Sequence, residues 1–194
     1  SYREYKESEK KADLGELYRK KLKITKNEKS TTNKWLFNYQ YAGIIAQAIP
    51  NAKIIHCYRN PLDNILSIYR AHFATGNNFS SSLVDSAAVF SDQEEIMKIY
   101  KKEFKNHIYE LNYDKLVTHP SEEIKSLIDW LGWKWDDLYL SPHLNKRKIS
   151  TRSNVQVRSP INTKSLGGWK NYKEMLRPAM EIITQKDKYK DLKY

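Results

Sequence analysis

The sequence predicts an α/β fold built on a parallel sheet, and three observations predict it. Residues 52–58 (AKIIHCY) have the length and apolarity of a buried strand. A helix signal follows at once, with Asn60 as cap, Pro61 in the first helical position and Asp63 in the first turn. A second strand at 108–113 (IYELNY) is then followed by a second helix that starts at Pro120. Strands that feed directly into helices are the halves of parallel α/β units.

Taken in order, residues 1–12 are charged, and they are expected to be frayed or helical. Asp13 with Glu16 fits a capping box, and Leu14, Leu17, Tyr18 and Leu22 follow at roughly helical spacing, so 13–23 reads as a helix. Residues 25–33 (TKNEKSTTN) read as a loop. Lys34 opens the next helix, where Tyr41, Ile44, Ile45 and Ala48 share one face until Pro50 stops it. A lysine at a helix start is mildly unfavourable for the helix dipole, for which either function or chance accounts.

After the strand at 52–58, Leu62, Ile65, Leu66 and Tyr69 form the core face of the helix that Pro61 opens, with Asn60, Asp63 and Ser67 on the polar face opposite. Cys57 reads as a small core residue. Residues 72–82 form a loop. A long helix occupies about 83–105, with Ile96, Tyr100 and Phe104 inward. The helix from Pro120 buries Ile124, Leu127, Ile128 and Leu131 and ends at Gly132. Residues 133–170 are expected to be irregular. A last helix is expected over 173–184, interrupted by Pro178 near its first turns. The whole reads as a single domain, 1–194, with 1–12 and 186–194 loosely ordered.

The chain has 34 Lys and Arg against 23 Asp and Glu, a net charge of +11. That favours an anionic partner, although lysines spread for solubility give the same total. No apolar run approaches the roughly 20 residues that span a bilayer. Residues 1–11 are polar and do not read as a secretory signal, so the default expectation is a cytoplasmic protein. A single cysteine excludes an intrachain disulfide and a CxxC zinc site. His56, His72, His107, His119 and His143 show no HxH or HxxxH spacing, so no metal is expected. Neither GxxxxGK[ST] nor GxGxxG occurs.

Two segments could carry chemistry. Arg59 sits at the carboxyl end of a strand and just before a helix N-terminus, where free N–H groups and the helix dipole favour an anion. Arg59 and Ser67 could share one phosphate. The same residues equally fit an Arg59 paired with a carboxylate and a Ser67 facing solvent. The second segment, 151–169, carries Arg152, Arg158 and Lys164, with Lys170 just beyond it. Gly167 and Gly168 allow close backbone approach. It could fold over an anion, or be a surface loop pinned by Trp169.

Together these segments resemble the sulfotransferases that use 3′-phosphoadenosine 5′-phosphosulfate (PAPS), in the bacterial group related to protein-tyrosine sulfotransferases. The resemblance begins near Leu14-Gly15-Glu16-Leu17-Tyr18 and runs to about Tyr172. Its core is Asn33-Lys34 and PNAKIIHCYRNPLDNILSIYR, with LNYDKLVTHPSEEIKSLIDWLGW and RSNVQVRSPINTKSLGGWKNY following in the family's order. It implies a P-loop-NTPase-like parallel sheet flanked by helices. It also implies that Arg59 and Ser67 hold the 3′-phosphate and that Tyr113 lies beside the nucleotide. Lys34 matches a lysine near the bridging oxygen of the phosphosulfate, and Ser153 a serine that assists the transition state. Gln156, Arg158 and Trp169 match the cofactor loop, whereas Gly168 stands where some relatives carry a basic ligand.

The implied reaction moves a sulfuryl group from PAPS to a hydroxyl or amine, without a metal. The acceptor would be a small molecule, saccharide or peptide; no specific nucleic acid is expected, and a homo-oligomer is left open. The family's N-terminal loop of the PRSGTT kind, which grips the 5′-phosphosulfate, has no match here. The acceptor's catalytic base usually comes from the same region; Glu16 is a candidate for it, though its capping role explains it as well. The expectation is therefore a C-terminal part of a longer domain, with a sheet incomplete on its N-terminal side and little activity alone. The reading from another class is a non-catalytic nucleotide- or nucleic-acid-binding module, to which the charge and the aromatics are suited.

Overall fold

The computed structural model describes residues 31–49, 51–71, 73, 76–145 and 158–192. The expected helix at 13–23, with Glu16, and the site candidates Ser153 and Gln156 lie outside the described residues. The described residues form two compact units. One contains 31–54 with Ile96–Ile108. The other contains Ile55–Glu95 with 109–145 and 158–192.

The chain follows the predicted α/β order. A 3-10 turn at Asn38–Tyr41 leads into α1 (Ala42–Ala48), followed by β1 (Ile54–Tyr58) and α2 (Pro61–Ala71). A further 3-10 turn at Asn78–Ser81 precedes α3 (Leu83–Glu103), β2 (Ile108–Asn112), α4 (Tyr113–Thr118) and α5 (Pro120–Leu131). Short 3-10 turns fill much of the described remainder up to α6 (Lys173–Ile183).

The described sheet has two strands, β1 and β2, and its register follows from its ends. The Ile54 N–H donates to the His107 carbonyl at 2.8 Å, so the two strands start together. The Asn60 N–H donates to Asp114 Oδ2 at 2.8 Å, so they also finish together. Strands whose starts meet and whose ends meet are parallel.

Several elements depart from the expectation. Lys34 does not open a helix; the helix begins at Ala42, and Lys34 is exposed in the stretch ahead of the 3-10 turn. Tyr113 belongs to α4 rather than to a strand. Asn112 Oδ1 accepts from the N–H groups of Asp114 and Lys115, at 2.9 and 3.1 Å, and this cap ends β2 one residue earlier. Cys57 is exposed and not a core residue. On β1 only His56 is buried, while Ile55 on the opposite face is 40% exposed, so one face of the strand lacks the cover expected on both. Asp63 is not on an exposed polar face but is buried.

Pro178 does not interrupt α6, which runs unbroken from Lys173 to Ile183. Its missing N–H would have bonded the carbonyl of Glu174, in the helix's first turn. Burial of Leu176, Ala179, Met180 and Ile183 holds the helix against that loss. At the end of α5, Gly132 takes the left-handed conformation (φ 72°). Its N–H bonds the Asp129 carbonyl and that of Trp133 bonds the Ile128 carbonyl, closing off the helix as predicted.

Each unit has its own core. In the first, Ala42, Met97 and Ile108 pack with Tyr39, Ile54, Tyr100 and Phe104. In the second, Leu62, Ile65 and Leu66 of α2 meet Ala87 and Phe90 of α3, Trp169, and the buried face of α6. Residues beyond α6 add polar contacts to this core. Lys186 pairs with Glu95, Lys188 pairs with the buried Glu94, and the Tyr189 ring lies 5.9 Å from that of Phe90.

Candidate active site

The polar centre of the second unit stands at the carboxyl end of β1. Asn60 caps α2, its Oδ1 accepting from Leu62 and Asp63 N–H at 3.0 and 3.2 Å. This fixes the turn between strand and helix that carries Arg59. The Arg59 guanidinium is held on three sides. Nη2 donates to the Ser165 carbonyl and lies 3.5 Å from Asp63 Oδ2, and the guanidinium carbon sits 5.0 Å from the centre of the Tyr113 ring. The cation over the ring face and the two oxygens at one edge leave the guanidinium little freedom.

Asp63 is the hub of this arrangement. It is 5% exposed, and its two carboxylate oxygens accept backbone N–H groups from a segment far downstream. Oδ2 takes Gly167 at 2.7 Å and Oδ1 takes Trp169 at 3.0 Å. Gly167 stands at φ 67°, a backbone that a residue with a side chain adopts at a cost. Trp169 is buried against the hydrophobic core of the same unit. The downstream segment is thus anchored at one point by an apolar ring and at another by a carboxylate.

Two clefts adjoin this centre. The smaller, about 280 Å³, has Asp63, Asp114, Gly167 and Lys170 among its walls. The larger, about 430 Å³, is walled by Asp114, Lys115, His119, Glu122 and Glu123 and shares Leu166 and Asp114 with the first. Three carboxylates make the larger cleft a poor seat for a phosphate.

The sequence candidates are distributed unevenly. Arg59 and Trp169 meet Asp63, and Tyr113 lies against the Arg59 guanidinium. Ser67 lies one turn beyond Asp63 on the same helix face and is exposed. Arg158 is exposed and donates to the Asn145 carbonyl. Lys34 belongs to the first unit. The alternative reading of Arg59, paired with a carboxylate, describes the Asp63 contact. The residues not singled out from the sequence are Asp63 as a buried clamp and Asp114 as the acceptor of the Asn60 N–H. The spacing of Arg59 and Asp63, four residues apart, was the available signal for the first.

One atom bears on what the site could take. Among the described residues, Arg59 Nε is buried without a hydrogen-bond partner. An unsatisfied guanidinium N–H is costly, and a phosphate oxygen is a fitting acceptor for it. The residues present therefore fit an anion at Arg59. Among the described residues, no group of three or more His, Cys, Asp or Glu side chains could hold a metal ion. Likewise no described helix is long and apolar enough to cross a membrane.

A family model described as the Sulfotransferase family matches residues 4–137. The chain belongs to that family. A protein of Aquifex aeolicus (strain VF5) that carries the name "Uncharacterized protein" is 35% identical over 151 residues. The match covers 76% of this chain and 20% of that protein. Among solved structures, the sulfotransferase domain from the curacin biosynthetic pathway aligns with a TM-score of 0.48 at 14% identity, over 75% of this chain and 59% of that one. The chain thus spans about a fifth of the Aquifex relative and less than two thirds of the curacin domain. Within the family, the centre at Arg59 falls inside the matched residues, whereas Gly167 and Trp169 lie beyond them.

Proposed function

We propose that this chain is part of a sulfotransferase that moves a sulfuryl group from PAPS to a hydroxyl or amine acceptor, and that its second unit reads the 3′-phosphate of the nucleotide. The observation that carries the reading is the Arg59 guanidinium, fixed over Tyr113 at the carboxyl end of β1 with a buried N–H to spare, in a chain of the sulfotransferase family. PAPS supplies the activated sulfuryl group.

The chain's own residues do the rest by position and charge. Arg59 donates to a phosphate oxygen, and Tyr113 presents a ring face beside it. Ser67 adds a hydroxyl one turn along the helix face. Trp169 and the glycines before it hold the downstream segment against α2. Lys34 and Ser153 are assigned to neutralising charge on the leaving phosphate, the main task in group transfers with a loose transition state. Arg158 and Gln156 are assigned to the segment that meets the nucleotide. The acceptor is a small molecule, saccharide or peptide.

The test is a calorimetric titration of the 194-residue chain with adenosine 3′,5′-bisphosphate, AMP and a single-stranded oligonucleotide. The expected result is tighter binding of the bisphosphate than of AMP. Equal binding of those two, or tightest binding of the oligonucleotide with a strong salt dependence, overturns the proposal in favour of a general anion- or nucleic-acid-binding surface.

A further inference from the structure

The structure assigns to Asp63 the part of positioning residue for the phosphate-reading site, an assignment that rests on the nucleotide reading above. One carboxylate joins two elements that the chain separates by more than a hundred residues. Its oxygens accept from Gly167 N–H at 2.7 Å and Trp169 N–H at 3.0 Å, and Oδ2 lies 3.5 Å from Arg59 Nη2. The same segment returns to Arg59 through the Ser165 carbonyl, which accepts from Nη2. Asp63, Arg59 and residues 165–169 therefore form a closed ring of contacts, and Asp63 is its buried carboxylate.

A carboxylate is suited to this place because it accepts and never donates when ionised, and it has two oxygens to share among three donors. Charge-assisted bonds to backbone N–H groups are short and directional. Through them Asp63 sets the height of the 165–169 segment over α2. Through the ion pair it sets the in-plane rotation of the guanidinium on the Tyr113 ring. With Nη2 committed to Asp63 and to Ser165, the remaining donors of Arg59 face a ligand in a fixed orientation. An Arg59 without this partner would keep its charge but lose its aim. Nucleotide affinity from general electrostatics would then persist, while the preference for a 3′-phosphate would fade.

Asp63→Asn separates these outcomes. The amide keeps the size and one acceptor oxygen, but it turns an NH₂ toward a backbone N–H or toward Arg59. The measurements are calorimetric affinities of the full 194-residue chain for adenosine 3′,5′-bisphosphate and for AMP, with hydrogen exchange of the Gly167 and Trp169 amides read by NMR. The expected result is a bisphosphate-to-AMP preference that falls at least fivefold, AMP affinity changed by less than twofold, and exchange at both amides accelerated at least tenfold. The amides of α5 should exchange as before. Should Asp63→Asn fail to fold, Asp63→Glu carries the same test, because it keeps the charge and displaces it by one methylene; a fall of at least threefold in preference is then expected. An unchanged preference in a folded variant overturns the inference alone. Equal affinities for the two nucleotides in the unsubstituted protein overturn the nucleotide reading and this inference with it.

Discussion

The Tyr189 hydroxyl donates to Glu94 Oε2 at 3.0 Å, joining a residue near the described C-terminal end to the middle of α3, 95 positions earlier. Burial alone would push the Glu94 carboxyl up. The Lys188 ammonium, the Tyr189 hydroxyl and His56 together outweigh burial and hold it below the usual carboxylate range. Tyr189 is shifted the other way: burial and the neighbouring carboxylate push its hydroxyl up, which keeps it a donor across the physiological range.

A carboxyl held low in the folded state contributes stability that is fully present above its unfolded value, near 4.5, and is lost as pH falls through the lower folded value. Glu94→Gln should therefore be less stable than the unsubstituted protein at pH 7, by about 1–3 kcal/mol, with the difference shrinking below pH 4. Urea melts at pH 7 and pH 3.5 check this; an equal gap at both values would contradict it.

Arg59→Ala should weaken adenosine 3′,5′-bisphosphate binding at least about tenfold, since charged hydrogen bonds are worth roughly 1.5–3 kcal/mol each. AMP affinity should change by less than threefold. Calorimetry on both nucleotides reads the difference, with circular dichroism confirming the fold.

Gly43 of α1 packs against Tyr100. A Cβ placed there would stand 2.5 Å from the tyrosine Cε1, closer than carbon atoms approach. Replacing a helical glycine by alanine ordinarily gains about 1 kcal/mol. Here the clash wins, and Gly43→Ala should lose about 1–3 kcal/mol. Tyr100→Leu should cost less in the Gly43→Ala background than alone, which a double-mutant cycle measures.

Gly132→Ala isolates the opposite case. Nothing lies within 4 Å of the added Cβ, so the only penalty is the left-handed backbone at φ 72°. The expected loss is about 1–2 kcal/mol, seen as a lower urea midpoint with an unchanged slope.

The parts of the fold legible in the sequence are those decided within a few residues. The turn from β1 to α2 follows from Asn60 and Pro61, and the end of α5 from Gly132. Asn112 was equally readable as a cap, since Asp114 follows it in the first turn of α4, but the strand-like alternation of 108–111, carried on to Tyr113, hid the boundary. Exposure of Cys57 was not readable, because alternation along β1 depends on what covers each face of the sheet. The burial of Asp63 was hidden for a different reason. A carboxylate in a first helical turn normally faces water, and its partners at Gly167 and Trp169 announce themselves only in three dimensions. The resemblance singled out Arg59 and Tyr113 separately, and their contact, the guanidinium carbon 5.0 Å from the ring centre, emerges only in three dimensions.

The contacts of Asp63 also set a timetable. Its backbone partners lie 104 and 106 positions downstream, so during synthesis at about 5–20 residues per second the carboxylate waits roughly 5–20 seconds for them. Through that interval α2 can form, but its first turn must keep Asp63 hydrated, and the apolar face of Leu62, Ile65 and Leu66 lacks Trp169 and α6. A nascent chain stalled before Gly167 would therefore present that face to chaperones, and the centre around Arg59 and Asp63 would be among the last parts of the second unit to come into being.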